Sequence, residues 1–326
     1  MPISETNTEA PAVAAITTPR PRRGEPWAAG AVLGYASAEI LDRMAVRQAD
    51  PLIGPFLRGL PSLALGIILV GKNHTLDQLR PGSARYIGRR PIVSLLAAGV
   101  LSTLGLFAYY FAMQVGGVVI TVPVLQTYVI WGTLIAWVFL GERLTRLAVL
   151  GIGLLFLGLG FLSWGQLSGH PASSHWYLAI PLAFFTALTY GVSGVLWRDA
   201  QLRGAHQSIA ILLQFVASEG VALLGLLAMG RGGSILATAG RNLAALLASG
   251  VISGVIAIYC LFTALRLMAV ARVYAFFPLN PIMATLFAHF VLHEYLSLMM
   301  LAGVVLVSGG LTLTQVFSPK EEKQAA

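Results

Sequence analysis

One carboxylate stands in the middle of a strongly apolar stretch: Glu219, in Gln214-Phe215-Val216-Ala217-Ser218-Glu219-Gly220. Inside a bilayer an ionisable side chain costs several kcal/mol, so each such residue is a functional candidate by default. Glu219 is poised either to bind a proton or cationic group or to hold a structural hydrogen bond to a neighbouring helix. Glu39 and Arg58 flank a short connection between two further apolar stretches. At 1.5 Å of rise per residue each lies about 10 Å deep, so an ion pair between antiparallel neighbours is geometrically sound. Such a pair either locks the two helices or lets Arg58 hold a substrate carboxylate. Asp42 and Arg43 are expected at the outer edge, against water or headgroups.

Polar and aromatic residues mark candidate cavity walls. One stretch carries Gln126, Tyr128 and Trp131, another Tyr274, Asn280 and His289. Pro123, Pro278 and Pro281 in the same stretches free backbone carbonyls and allow local bending at buried positions. The alternative, an interfacial aromatic belt, suits Trp27, Trp164, Trp176 and Trp197 at the ends of apolar runs better than Tyr128 and Trp131 in their middle. His289, His293 and Glu294 are too few for a metal site. The single Cys260 excludes a disulfide framework and a cysteine cluster. There is no phosphate-binding glycine loop and no nucleophile–base pair at helical spacing. No cofactor, metal or catalytic residue is therefore expected; the chain does not read as an enzyme, and ATP cannot drive it directly.

The elements that position these residues follow from composition. At 57% hydrophobic and 10% charged, with mean hydropathy +0.79, the chain is far more apolar than a soluble protein. At roughly 20 residues per span, about ten helices fit. The expected spans are about Trp27–Met44, Pro51–Val70, Pro91–Val115, Val118–Leu140, Leu144–Trp164, Trp176–Trp197, Gln207–Met229, Leu243–Leu267, Val273–Leu292 and Leu296–Val316. Residues 1–26, rich in Pro, Thr and Ala, read as a disordered cytoplasmic tail; with the next stretch they also look like a signal peptide, but the repeat described below needs that helix as its first span. Residues 317–326 read as a C-terminal cytoplasmic tail. With the N-terminus inside, Lys and Arg number 16 in inner segments and four in outer ones. The positive-inside rule then places both termini in the cytoplasm of a multi-pass inner (plasma) membrane protein. The net charge of +8 thus reads as topology, with the lipid bilayer and not nucleic acid as the partner.

The stretch 110–160 recurs 152 residues later as 262–312. Thirteen of 51 ungapped pairs are identical, among them Glu142/Glu294, Gly151/Gly303 and Gly158/Gly310. Tyr128 and Asn280 are repeat mates. The halves are residues 27–164 and 176–316, joined by a connection at 165–175. Five spans per half is an odd number, so the second copy must be inverted. Inverted repeats are the architecture of secondary transporters, with the binding site at the repeat interface near mid-membrane. The expected fold is an all-α integral membrane protein of ten transmembrane helices in two inverted five-helix repeats. Glu142 and Glu294 are expected to cap turns. Glycines 151, 153, 158 and 160, with 303, 309 and 310, make small helix faces; whether these meet a second protomer, as a homo-oligomer, the sequence leaves open.

Leu140-Gly141-Glu142-Arg143-Leu144-Thr145 after an apolar run, its echo Leu292–Ser297, and Asp50-Pro51 followed by Phe56-Leu57-Arg58 resemble the drug/metabolite transporter superfamily, in its EamA-type ten-helix family. The second copy departs by carrying His293 where the family has Gly. The resemblance covers about Trp27–Val316. It implies export or exchange of a small metabolite such as an amino acid, and a central cavity lined by helices one to four and six to nine. Flipping of a lipid or lipid-linked sugar is the alternative, a polytopic membrane enzyme a more distant one.

Overall fold

The computed structural model describes residues 24–128, 130–131, 134–135, 146–167, 173–267, 273 and 275–316. Glu142 and Tyr274 lie outside them, as do residues 1–23 and 317–326. The described residues form helices and no strand: α1 (Glu25–Val46), α2 (Gly54–Asn73), α3 (Arg89–Leu125), α4 (Arg146–Leu167), α5 (Ala179–Leu202), α6 (Gln207–Ala228), α7 (Gly240–Val251), α8 (Ile258–Leu267), α9 (Leu279–Leu292) and α10 (Leu298–Val316). A π-helical segment, Ile252–Ala257, joins α7 and α8 into one rod. Among the described residues six helices are long and apolar enough to cross a membrane, and two shorter apolar ones follow.

The expected boundaries shift where glycine and proline intervene. Pro91–Val115 and Val118–Leu140 were expected as separate spans. The break expected between them is present: α3 consists of two helical segments that meet at a kink at Gly117 (φ 73°), where the chain turns in a conformation that favours glycine. The span expected over Val273–Leu292 is helical at Val273 and again from Leu279, with a turn at 275–278 that ends on Pro278 between them. Its repeat counterpart also breaks, at Gln126 and Thr127.

In lipid, helices associate through close contact of small residues, because apolar burial gives little advantage over contact with lipid tails. The glycine faces show where. In the α4–α10 seam, Gly151 lies against the Gly310 carbonyl and Gly158 against the Gly303 carbonyl. A Cβ added at any of the four would sit 2.5 to 2.7 Å from the opposing carbonyl oxygen. Since 151 pairs with 310 and 158 with 303, the helices are antiparallel and the repeat mates trade places across the seam. These faces meet within one chain, whereas Gly153 and Gly160 face open space.

The same exchange recurs elsewhere. Gly99 of α3 packs on the Gln214 carbonyl of α6, and Gly250 of α7 on the Arg58 carbonyl of α2. Thr103 and Ser218 share a 2.6 Å hydrogen bond, while Gly254 meets Ser62. Gly105 of α3 faces Thr189 of α5; Gly34 of α1 faces Ala257. Each half therefore lends its first two helices to the other: α3 packs on α5 and α6, and the α7–α8 rod on α1 and α2.

Candidate functional site

The charged residues of α1 lie on one face because residues three and four apart are neighbours on a helix. Glu39, Asp42 and Arg43 are all buried, Asp42 completely. The expectation that Asp42 and Arg43 meet water or headgroups is corrected: α1 packs between the rod and α3, and both side chains point inward.

Arg58 pairs with Asp42, not Glu39. Its Nη1 lies 2.8 Å from Asp42 Oδ2, and its guanidinium sits 5.7 Å from the centre of the Tyr109 ring. Tyr110 donates to Asp42 Oδ1 at 2.9 Å and Tyr109 to Oδ2 at 3.3 Å. A buried carboxylate holding one cation and two hydroxyls is thus fully engaged, which offsets its desolvation. Gly54 makes the arrangement fit: a Cβ there would lie 2.6 Å from the Tyr110 ring. Tyr190 of α5 lies within electrostatic range of the pair.

Glu39, one helical turn away, accepts from Asn280 Nδ2 at 3.1 Å. Its second oxygen, and the Asn280 side-chain oxygen, are buried without a partner among the described residues. Asn280 stands in the first turn of α9, beside the break at Pro278. The cluster therefore draws on α1, α2 and α3 from one half and on α9 and α5 from the other. Of the residues expected to line a cavity, it gathers Arg58, Glu39 and Asn280. Gln126 is buried, and Tyr128 and Trp131 are half-buried. Among the described residues no hydrogen bond joins Gln126 or Trp131 to the cluster, and the Trp131 indole N–H is buried unpartnered.

A second assembly closes the end of the bundle to which Arg43 belongs. Arg43 Nε binds Glu294 Oε1 at 2.8 Å, while its Nη1 donates to the carbonyls of Met113 and, at 2.8 Å, Gln114. Glu294 Oε2 accepts from the backbone of Val118 at 2.9 Å and Val119 at 3.3 Å. These are free amides at the helical restart after Gly117, where a carboxylate is stabilised by the unpaired donors and the helix dipole. Glu294 thus reaches beyond its own turn to cap a helix of the other half. Its turn is set by His293 in the left-handed region (φ 53°) and by a 3.0 Å contact of His289 Nδ1 with the Glu294 carbonyl oxygen. Outside this latch lies a cavity of about 480 Å³ whose walls include Arg47, Gln114, Gln166 and Tyr295.

Glu219 lies apart from both assemblies. It is buried on α6, and neither carboxylate oxygen has a hydrogen-bond partner among the described residues.

Comparison with known proteins agrees with this architecture. The model of the EamA-like transporter family matches twice, at residues 22–164 and 177–316. The chain belongs to the EamA-like transporter family. It also resembles a solved protein crystal structure at TM-score 0.60 and 16% identity, over 92% of this chain and 99% of that one, a likeness of fold. No curated protein matches it.

Proposed function

We propose that this chain is a secondary transporter that moves a small amino-acid-like metabolite by alternating access, as an exporter or exchanger. In this reading ten spans form two inverted five-helix repeats in the inner (plasma) membrane, with both termini in the cytoplasm. One observation carries the proposal: a buried cluster of opposite charges, built from both halves, with one carboxylate and one amide oxygen left open. The open oxygens of Glu39 and Asn280 suit an ammonium group. Arg58 suits a carboxylate that replaces Asp42 as its partner, and each charge-assisted hydrogen bond so formed is worth about 1.5–3 kcal/mol. A zwitterion matches both ends.

The Arg43–Glu294 latch is then the closed outer gate. Opening it requires α1 to leave the carbonyls of α3 and Glu294 to leave the amides of Val118 and Val119. The test is mass spectrometry of the medium of cells expressing the chain, beside cells carrying an Arg58→Ala variant shown to reach the membrane. An amino-acid-like metabolite accumulating outside only with the intact chain supports export. Accumulation that persists in the variant removes Arg58 from the site, and an unchanged medium argues for uptake or lipid flipping.

A further inference from the structure

We propose that Glu219 is a proton-binding site placed at the pivot of the two halves, separate from the substrate cluster, and that its proton couples transport to a pH gradient. This rests on the transport reading above and assigns it a driving ion.

The geometry is specific. α2 and α6 cross with Gly59 against Glu219 and Gly66 against Leu212. A Cβ at Gly59 would overlap Glu219 Oε1, so the carboxyl group rests on bare α2 backbone. Neither oxygen meets a donor among the described residues. The adjacent Ser218 is bonded to Thr103 at 2.6 Å, and among the described residues no group of three or more His, Cys, Asp or Glu residues that could hold a metal ion is found. Ionised, the group would keep a full charge among apolar atoms; a proton removes that charge without any other partner.

Among the described residues, the charges on the elements around Glu219 are engaged elsewhere. On α2, Arg58 is turned to Asp42. The segment before α2 carries Asp50, which faces Arg231 at 3.7 Å. Between Arg90 and Tyr109, α3 has no ionisable side chain. On α5, Asp199 is held by Arg203 at 3.0 Å.

The position also breaks the symmetry of the repeats. Ser62 and Ser218 occupy equivalent places, reaching Gly254 and Thr103 respectively. Leu63 therefore stands where Glu219 stands in the other half. A crossing that must shift when the halves exchange conformations carries a carboxyl on one side only. Water reaching it in one state takes the proton away; closure without a proton is disfavoured.

The test begins with infrared difference spectroscopy of the full chain in lipid nanodiscs during a pH titration. A protonated-carboxyl C=O band that titrates in the intact chain and is missing in Glu219→Gln supports the site. Identical spectra overturn it. Should Glu219→Gln fail to fold, Gly59→Ala serves, because the added methyl must displace the carboxyl group and shift that band; an unshifted band overturns the proposal. This readout needs no substrate, so it stands apart from any failure of the transport reading. In proteoliposomes, a radiolabelled amino-acid mixture should exchange at equal pH with or without Glu219. Only the intact chain should concentrate label under a pH gradient, and equal accumulation by Glu219→Gln refutes the coupling.

Discussion

Removing the Glu294 carboxylate should open one end of the bundle. In Glu294→Ala, Arg43 loses a 2.8 Å partner while remaining buried, and the amides of Val118 and Val119 lose their acceptor. Removing one partner of a buried pair costs about 3–5 kcal/mol. Arg43 keeps the carbonyls of Met113 and Gln114, so the low end, about 3 kcal/mol, applies. If these contacts exist only in the closed state, the whole cost falls on the gate. At 1.4 kcal/mol per factor of ten, the open population rises about a hundredfold. The assay uses Gln166→Cys, a buried wall of the adjoining cavity, in a Cys260→Ser background, since Cys260 is the only native thiol. Labelling by a membrane-impermeant maleimide should accelerate by about that factor in Glu294→Ala. Glu294→Gln, which keeps an oxygen for the amides, should fall between. An unchanged labelling rate in a folded variant would refute the latch, and an equal loss of global stability would show that the pair persists in both states.

Other substitutions probe the packing and the cluster. Gly158→Ala and Gly303→Ala should each destabilise by about 1–3 kcal/mol, the usual cost of overpacking, and by similar amounts, because each presses a methyl onto the other's carbonyl; thermal unfolding in detergent checks this. Tyr110→Phe removes the 2.9 Å bond to Asp42 and should cost about 1–3 kcal/mol by leaving that acceptor short of a donor. Gly54→Ala should mimic it by pushing the Tyr110 ring away, and an additive double variant in the same unfolding assay would show the two are unconnected. Asn280→Ala takes the described donor from Glu39; substrate affinity in equilibrium binding should fall at least tenfold, whereas an Asn280→Gln variant should retain part of it.

What was legible in the sequence is what depends on periodicity and on small residues. The repeat, the small glycine faces and the boundary between the spans ending at Val115 and starting at Val118 could be read because each is a local feature or an aligned pair. Burial of α1's charged face could not, because rotation of a helix about its axis is set by packing. An error of one residue turns a face by about 100°, which separates a side chain in the core from one at the headgroups. Glu39 and Asp42 are one turn apart, so both were within reach of Arg58, and Tyr109 and Tyr110 decided the choice by giving Asp42 two hydroxyls. The i, i+3 spacing of Glu39 and Asp42 was the available signal. The reach of Glu294 to amides 175 and 176 residues away left only one trace, its alignment with Glu142.

The register of contacts carries the mechanism further than any one residue. The match that places Gly34 opposite Ala257 and Thr189 opposite Gly105 maps Arg43 of α1 onto Arg198 of α5, just as the repeat maps Glu294 onto Glu142. In sequence, both ends of the bundle thus carry an arginine and a glutamate at equivalent places. Under the alternating-access reading, matched gates would let the bundle open at either end, and without a second bound species substrate would then run down its own gradient or exchange. Glu219 faces Leu63 across that equivalence. If Glu219 binds the driving proton as proposed above, the two states differ in their affinity for that proton, and a proton gradient moves solute only where proton and substrate occupancy together decide which loaded forms exchange conformations.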